Sequence, residues 1–396
     1  MKLQLDPNQA YAVALEGGGA KGAYQIGAWR ALREAGIRIS AVSGTSVGAL
    51  NGALMVQGDL EKAEEIWRNI RFSQVMDVND EDMKNLLSLN LRDIDWRNQL
   101  EFLKKTLLNR GLDVTPLRQW MAELVDENAI RNSETEFYIQ TFSLSDRKEL
   151  ELRAKDLKEP GEITDMLLAS AYFPAFRNEA LGGKRYADGG LQDVIPLHVL
   201  VENGYRDIIA IRLYGVGLER SFRVPSYVDI HMVLPTRDLG GTLEFESGQS
   251  RKNLRTGYYD AKRMLYGLSG NQYYIDREWT EEDAYAFLVR YLSRYLKDYE
   301  QSFTLMELNE RFLPRLRKSL DCKGGDYYAL ALAALERAAE EAGIEPFAVY
   351  TEAELLKLLE KDYGPEAGRF PKFLTKALMF RTSFVRSKKL WKRGQN

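Results

Sequence analysis

The sequence has little of the material from which disulfides, metal sites and histidine-dependent active sites are built. It contains one cysteine, Cys322, and two histidines, His198 and His231. A single cysteine cannot form an intramolecular disulfide, and it excludes a cysteine-rich zinc site. Two histidines leave few ligands for a metal and few candidates for Ser-His catalysis. The composition therefore gives no reason to expect a metal site.

Excess charge of one sign and long apolar runs are also missing. The chain carries 55 Lys and Arg against 58 Asp and Glu, a formal net charge of −3, which is not the basic footprint of a nucleic-acid-binding protein. No run of about 18 apolar residues occurs, and residues 1–8 are polar. The pattern predicts neither a transmembrane helix nor a signal peptide. We expect a cytoplasmic protein, either free or peripherally attached to a membrane.

What is present is the composition of a globular protein with room for two or three domains. Of the 396 residues, 45% are hydrophobic and 29% are charged. Apolar runs at residues 12–15 and 37–42, each followed by a helical pattern, predict a parallel sheet with helices on its faces. After about residue 235 nearly every segment has helical periodicity. The sequence therefore predicts an α/β domain over residues 1–268 and an α-helical C-terminal domain over residues 269–396.

The first motif that carries chemistry is Gly17-Gly18-Gly19-Ala20-Lys21-Gly22, which lies between a predicted strand and a predicted helix. It matches G-x-G-x-x-G, and such a turn presents backbone N–H groups that favour an anion. A dinucleotide-binding fold also needs an acidic residue about 20 positions later, and a P-loop needs Lys followed by Ser or Thr. Neither is present, so the motif alone leaves open a phosphate site, another anion site or a structural turn.

The second motif is Gly44-Thr45-Ser46-Val47-Gly48, again between a strand and a helix. It matches the G-x-S-x-G nucleophile elbow, in which a sharp turn exposes the serine hydroxyl. The flanking glycines, Gly44 and Gly48, are required because side chains there would clash where the strand meets the helix. Taken alone, the motif is also compatible with a serine N-cap between two packing glycines.

A nucleophilic serine needs a base, and neither histidine is well placed to be one. His198 lies in an apolar helix start and His231 inside a predicted strand, so we expect both to be structural. Asp188, in Ala187-Asp188-Gly189-Gly190, is a candidate because its carboxylate would lie on an open turn. Alone, Asp-Gly is also a common turn dipeptide.

Together, the three motifs and their spacing resemble the patatin-like phospholipase family. The stretches at residues 169–176 and 190–197, which flank the Asp-Gly motif, and the segment at residues 257–261 are also similar to that family. The resemblance covers about residues 10–265. One departure is Asp193, where many members carry Asn, and this change concerns a local hydrogen bond.

The resemblance implies a Ser-Asp dyad on a patatin-like α/β fold with a parallel-type sheet. Ser46 would be the nucleophile and Asp188 the general base. The backbone N–H groups of Gly18, Gly19 and Ala20 would form the oxyanion hole, where Lys21 would add positive potential unless it is simply solvated. The remaining motif glycines are Gly17, Gly22, Gly44, Gly48, Gly189 and Gly190.

The activity implied is that of a serine acyl hydrolase of the phospholipase A or lysophospholipase type. It would cleave phospholipid, lysophospholipid or acylglycerol esters through an acyl-enzyme, with no metal and no cofactor. Two alternatives stay open: a nucleotide- or phosphate-binding protein that uses the turn at Gly17 to Gly22, and a catalytically inactive lipid-binding homologue. The head group, the acyl chain and the oligomeric state are not determined by the sequence.

Two further segments bear on access to a membrane. Residues 71–114 carry scattered apolar side chains and predict either a mobile lid or a packed helical insertion. Residues 369–393 are basic, contain interleaved aromatic residues and have no acid. They suit an anionic membrane surface, or a packed terminal helix with a solvated basic face.

Overall fold

The computed structural model describes residues 1–75, 80, 113–172, 176–177, 179–298 and 304–363. They form two compact units, one of Lys2–Tyr266 and a second that begins at Gly267. Of the predicted lid at 71–114, only the ends and residue 80 are among the described residues. The basic stretch at 369–393 lies outside them.

The first unit is built on a seven-stranded sheet. Its strands are β1 (Ala10–Leu15), β2 (Arg38–Thr45), β3 (Glu136–Ser143), β4 (Lys148–Arg153), β5 (Tyr186–Asp188), β6 (Asp207–Ile211) and β7 (Asp229–Val233). The order is β4-β3-β2-β1-β6-β7, and β5 pairs with β3. All neighbouring pairs are parallel except those that β4 and β5 make with β3. The predicted α/β fold with a mostly parallel sheet is confirmed.

Helices surround this sheet because both of its faces are apolar. In β1, Val13 and Leu15 belong to one hydrophobic core, and Ala12 and Ala14 belong to another. Such double burial is typical of parallel sheets. The helices of this unit are α1 (Ala23–Glu34), α2 (Val47–Gln57), α3 (Leu60–Arg68), α4 (Phe72–Val75), α5 (Thr115–Leu124), α6 (Glu127–Asn132), α7 (Glu162–Ser170), α8 (Leu197–Glu202) and α9 (Ser247–Tyr266).

The second unit is helical, with a small strand pair that the sequence analysis did not predict. Its helices are α10 (Glu281–Asp298), α11 (Leu305–Glu307), α12 (Leu313–Ser319), α13 (Tyr327–Ala342) and α14 (Glu352–Tyr363). The strands β8 (Tyr274–Ile275) and β9 (Val349–Tyr350) pair in parallel. No described helix of either unit is both long enough and apolar enough to cross a bilayer.

Some element boundaries differ from the predictions. The first helix begins at Ala23, since Gly19–Gly22 forms a 3-10 turn. The periodicity of residues 305–320 predicts one continuous helix, but a π-helical turn at Leu308–Phe312 interrupts it. Residues 236–250 are rich in Gly, Thr and charged side chains and predict a surface connection. The helix α9 nevertheless begins at Ser247, where the carboxylate of Glu246 accepts the N–H of Gln249. These differences are all at helix ends or inside one helix, whereas β5 and α6 in the first unit were not predicted at all.

Candidate active site

Ser46 lies on a strained turn at the carboxyl end of β2. Its φ of 55° is unusual for a residue other than glycine, and α2 begins at the next residue. A Cβ added to Gly44 would lie 2.3 Å from the carbonyl oxygen of Gly48, and one added to Gly48 would lie 2.3 Å from that of Leu15. The two glycines are thus required by the close approach of strand and helix, and the turn projects the side chain of Ser46 from the sheet.

Strand pairing brings Asp188 to Ser46 although the two are far apart in the sequence. Thr45 pairs with Gln140 of β3, and Asp188 pairs with the following residue, Thr141, along the same edge of β3, because β4 occupies the opposite edge. The Ser46 hydroxyl lies close enough to the Asp188 carboxylate to lower the pKa of that carboxyl group. The N–H of Gly190 donates to Asp188 Oδ1 at 2.8 Å. The two residues that the sequence analysis proposed as nucleophile and base are therefore in contact, with no imidazole between them.

The environment of Asp188 alters its acidity. Burial raises the pKa of this carboxyl group from 3.8 to about 6, although the hydrogen bonds from Gly190 and Ser46 act in the opposite direction. A carboxylate with a raised pKa is a stronger base than one in water, and at neutral pH it is still mainly ionised. Asp188 can therefore accept a proton from the Ser46 hydroxyl.

The glycine-rich turn lies directly beside Ser46. A Cβ added to Gly17 would be 3.3 Å from the Cβ of Ser46. Among the described residues, no acceptor is recorded for the N–H groups of Gly18 and Gly19. The N–H of Ala20, by contrast, donates to the Thr242 carbonyl at 2.8 Å. Within the described residues the N–H groups of Gly18 and Gly19 are thus free, whereas that of Ala20 is already used.

Lys21 does not lie free beside this turn. Its Nζ donates to the carbonyl oxygen of Tyr214 at 3.0 Å, and burial lowers the pKa of its ammonium group. Lys21 therefore connects the glycine-rich turn to the loop that follows β6. The sequence analysis considered a source of positive potential and a solvated lysine, and it did not predict this contact.

Ser170 is a functional residue that the sequence analysis did not single out. Its buried hydroxyl accepts the N–H of Ser46 at 2.8 Å and donates to the carbonyl oxygen of Gln140 at 2.6 Å. It therefore fixes the backbone of the strained turn. The only signal in the sequence was its place in the family-like stretch 169–176, which assigns it no role.

His198 is part of a buried ion-pair network. Its Nε2 lies 2.8 Å from Glu151 Oε1, and its Nδ1 lies 2.8 Å from Asp193 Oδ2. The second contact is an ion pair without ideal hydrogen-bond alignment. Although burial alone would lower it, these carboxylates raise the pKa of His198 to about 9. The imidazolium faces two acids, so neither nitrogen is available to Ser46. The other histidine, His231, is half-buried on the edge strand β7.

Asp193 connects this network to the nucleophile. Its backbone carbonyl accepts the hydroxyl of Thr45, the residue before Ser46, at 3.1 Å. Its Oδ1 accepts the N–H of Ile195 at 3.2 Å. An asparagine could make these two contacts but would not balance the charge of His198. The departure from the common Asn thus has a local electrostatic reason.

One group of side chains in the described part of the chain has the spacing of a metal site. Ligand atoms of Glu149, Glu151 and His198 lie within 4.8 Å of one another. Arg220 already lies 3.4 Å from a Glu149 oxygen and 3.5 Å from a Glu151 oxygen. Because the carboxylates are paired with Arg220 and the imidazole is protonated, this grouping is an ion-pair network and not a vacant ligand set.

A mainly apolar cavity opens at Ser46 and Asp188. The wall is formed mostly by aliphatic and aromatic side chains, among them Leu50, Leu117, Trp120, Met121, Phe176 and Phe245. A hydrophobic chain can therefore be accommodated next to the hydroxyl–carboxylate pair.

Comparison with known proteins assigns these residues to a family. The patatin-like phospholipase family model matches residues 13–201, a range that includes the glycine-rich turn, Ser46 and Asp188. The chain contains a patatin-like phospholipase domain. A lysophospholipase NTE1 of Cryptococcus neoformans is 29% identical over 213 residues, which are 52% of this chain and 11% of that protein. The patatin-like phospholipase domain-containing protein 7 of Rattus norvegicus is 50% identical over 48 residues, 12% of this chain and 4% of its own.

The matched segments span 11% of the Cryptococcus protein and 4% of the rat protein. This chain therefore corresponds to only a small part of either relative. Among solved structures, VipD from Legionella pneumophila gives a TM-score of 0.38 at 13% identity, covering 97% of this chain and 86% of that one. A likeness at that level carries no argument about function. The fold assignment rests on the strand order and on the family match.

Proposed function

We propose that this patatin-like domain is a serine acyl hydrolase that cleaves lipid esters, with Ser46 as nucleophile and Asp188 as general base. The observation that carries the proposal is the contact between the Ser46 hydroxyl and the buried Asp188 carboxylate at an apolar cavity. The family match and the lysophospholipase relative support lipid esters as the substrate class. Phospholipids, lysophospholipids and acylglycerols are the candidates.

The proposed reaction has two steps. Asp188 takes the proton of the Ser46 hydroxyl as the oxygen attacks the ester carbonyl, and the N–H groups of Gly18 and Gly19 stabilise the oxyanion. The intermediate collapses, the ester bond to the alcohol breaks, and Asp188 gives its proton to the departing alkoxide. Water then loses a proton to Asp188, attacks the acyl-enzyme and releases the fatty acid, while the proton returns to Ser46.

The decisive experiment compares two site variants with matched controls. Ser46→Ala and Asp188→Asn should each lower the hydrolysis of a lipid ester by at least about a thousandfold, since each removes a group used in bond making. Ser319→Ala and Asp321→Asn, at exposed positions of the helical unit, should leave it unchanged. Circular dichroism checks that every variant folds.

A fluorophosphonate probe provides an independent readout, because it forms a covalent bond with an activated serine. Wild type and Ser319→Ala should be labelled, and Ser46→Ala should not. Hydrolysis that is indifferent to Ser46 would overturn the proposal and favour the phosphate-binding alternative. A folded wild type that neither hydrolyses any ester nor reacts with the probe would favour an inactive lipid-binding protein.

A further inference from the structure

The loop that follows β6, residues 213–218, presents large apolar side chains to solvent; we call it the rim loop. Tyr214, Val216 and Leu218 are 56%, 65% and 62% exposed, and the neighbouring Leu191 is 43% exposed. Singly exposed apolar residues are ordinary on protein surfaces, but a contiguous group marks a site of interaction. Leu191 and Leu218 belong to adjoining segments, because the N–H of Leu218 donates to the carbonyl of Gly190 at 2.9 Å.

The rim loop is fixed in this exposed position by buried polar contacts. The carboxylate of Glu16, 1% exposed, accepts the N–H groups of Leu213 at 2.7 Å, Tyr214 at 3.3 Å and Gly215 at 2.9 Å. Tyr214 has a φ of 48°, a backbone conformation that a bulky residue seldom adopts without such support. The exposure is thus built into the fold and does not reflect a loose loop.

At its other end the rim loop is attached to the segment that follows the Asp-Gly motif. The N–H of Val194 donates to the carbonyl of Leu218 at 2.7 Å. A Cβ added to Gly217 would lie 2.5 Å from the carbonyl oxygen of Gly190, so the two segments pack backbone to backbone. The loop is therefore fixed both to the glycine-rich turn and to the strand end that carries Asp188.

The exposed apolar surface is continuous with the cavity at the active site. Val216 lines that cavity together with Ser46 and Asp188, yet most of its side chain faces solvent. The rim loop contains no charged side chain, and the neighbouring Arg212 is paired with Glu16 and Glu219. The rim loop therefore offers hydrophobic rather than electrostatic attraction at the entrance to a cavity suited to an acyl chain.

We propose that the rim loop, with Leu191, is the surface by which this domain docks onto a lipid aggregate so that an acyl chain can pass into the cavity. The inference rests on the proposed function, which needs a lipid that is held in a bilayer or micelle. Because the surface is apolar and carries no charged side chain, docking should occur on zwitterionic lipid. This separates it from the predicted role of the basic stretch 369–393, which requires anionic lipid.

The test measures binding of the full chain to phosphatidylcholine vesicles by sedimentation. It uses Ser46→Ala protein throughout, so that no lipid is consumed. Adding Tyr214→Asn and Leu218→Asn should weaken vesicle binding at least about tenfold, since two apolar side chains are removed from the contact. Asn is chosen because it tolerates the positive φ of residue 214. The matched control, Leu144→Asn with Leu234→Asn, removes two leucines that are 44% and 43% exposed elsewhere and should bind like the parent.

A second measurement separates docking from chemistry. With Ser46 intact, the Tyr214→Asn, Leu218→Asn protein should hydrolyse a soluble short-chain nitrophenyl ester within about twofold of wild type and lose at least about tenfold on vesicles. Leu218→Trp should bind vesicles more tightly, because tryptophan favours the lipid–water interface. Equal vesicle binding by the rim and control variants, or by Leu218→Trp and the parent, overturns the docking proposal. Absence of all ester hydrolysis in wild type overturns the proposed function instead, while the sedimentation results still decide the docking.

Discussion

The sheet unit and the helical unit are assembled by different kinds of information. In the sheet unit, Ser46 and Asp188 meet only because β2 and β5 pair with consecutive parts of the same edge of β3. In the helical unit the elements are delimited by local signals, such as the capping box of Thr304 and Glu307 and the left-handed Gly343 after α13. Chemistry lies where distant segments converge, and local signals produce the supporting structure.

The two units nevertheless share one device, a buried glutamate that accepts several backbone N–H groups. Glu16 accepts three consecutive N–H groups of the rim loop. Glu336, 5% exposed, accepts those of Asn271, Gln272 and Tyr273 at 2.7–2.9 Å. The same interaction positions a loop at the candidate active site in one unit and closes a turn in the other, so its consequence depends on what the loop borders.

The largest difference in stability is expected between alanine substitutions of two glycines, one in each unit. Gly48→Ala should lower the free energy of unfolding by about 3 kcal/mol or more, because the new Cβ would meet the Leu15 carbonyl oxygen at 2.3 Å. Gly343→Ala should cost about 1 kcal/mol, because its φ of 72° is strained for alanine but no atom lies within 4 Å. Urea unfolding measures both. Equal losses of unfolding free energy would show that the turn at Ser46 can relax around the new Cβ. The proposed difference between the two units would then be wrong.

His198→Gln should be the next largest change. Removing the imidazolium leaves the buried Asp193 without its partner, which should cost about 3 kcal/mol. Because the pKa of His198 is raised from 6.5 to about 9, its stabilisation is complete below about pH 6.5 and is lost as the pH rises through 9. The difference from wild type should therefore shrink above pH 9 in urea unfolding at several pH values.

Two outcomes would contradict this reading of His198. A stability difference that grows with rising pH would mean that the imidazole is neutral in the folded protein. A folded His198→Gln protein without any ester hydrolysis would restore a histidine-dependent mechanism. His231→Gln is the control and should change stability by less than about 1 kcal/mol.

The shared glutamate device can be compared directly. Glu16→Gln and Glu336→Gln should each lower the free energy of unfolding by about 1–3 kcal/mol, since charge-assisted hydrogen bonds to backbone N–H groups are weakened. Only Glu16→Gln should also lower kcat/KM for a lipid ester, because only its loop borders the cavity. Unfolding curves and initial rates provide the two readouts. An equal loss of activity in both variants would refute a positional role specific to Glu16.

The smallest expected effect is the pH dependence of kcat/KM in the wild-type protein. Since the pKa of Asp188 is raised to about 6, kcat/KM for a non-ionisable ester should rise about tenfold per pH unit well below pH 6 and level off above it. That slope corresponds to about 1.4 kcal/mol per pH unit. Circular dichroism across the range excludes acid unfolding. A profile with its inflection near pH 9 would implicate His198 in place of Asp188.

Much of the candidate site could be predicted because its components are short motifs with a local geometric reason. Gly44 and Gly48 are needed wherever a strand turns sharply into a helix, so the elbow was recognisable without any partner. The motif around Asp188 was recognisable only alongside the other two, because Asp-Gly is common in turns. The β-α-β-α order followed from hydrophobic periodicity, which is likewise local.

The contributions of Ser170, Glu16 and Ala20 could not be predicted, because each depends on a partner distant in the sequence. Ser170 acts on the backbone of Ser46, Glu16 accepts N–H groups from the loop after β6, and the N–H of Ala20 is occupied by Thr242. The interruption at Leu308–Phe312 was also missed, since the periodicity of 305–320 is that of an ordinary helix.

By itself, the sequence determined the strand–helix alternation that opens the first unit, the elbow at Ser46 and the resemblance of the chain to the patatin-like phospholipase family. These follow from periodicity and from glycines that a sharp turn requires. Only the tertiary structure decided that Asp188 touches Ser46, that His198 faces two acids, and that an exposed apolar loop borders the cavity. Such facts depend on which distant segments pair across a sheet, and pairing is a property of the packed chain rather than of any short stretch of it.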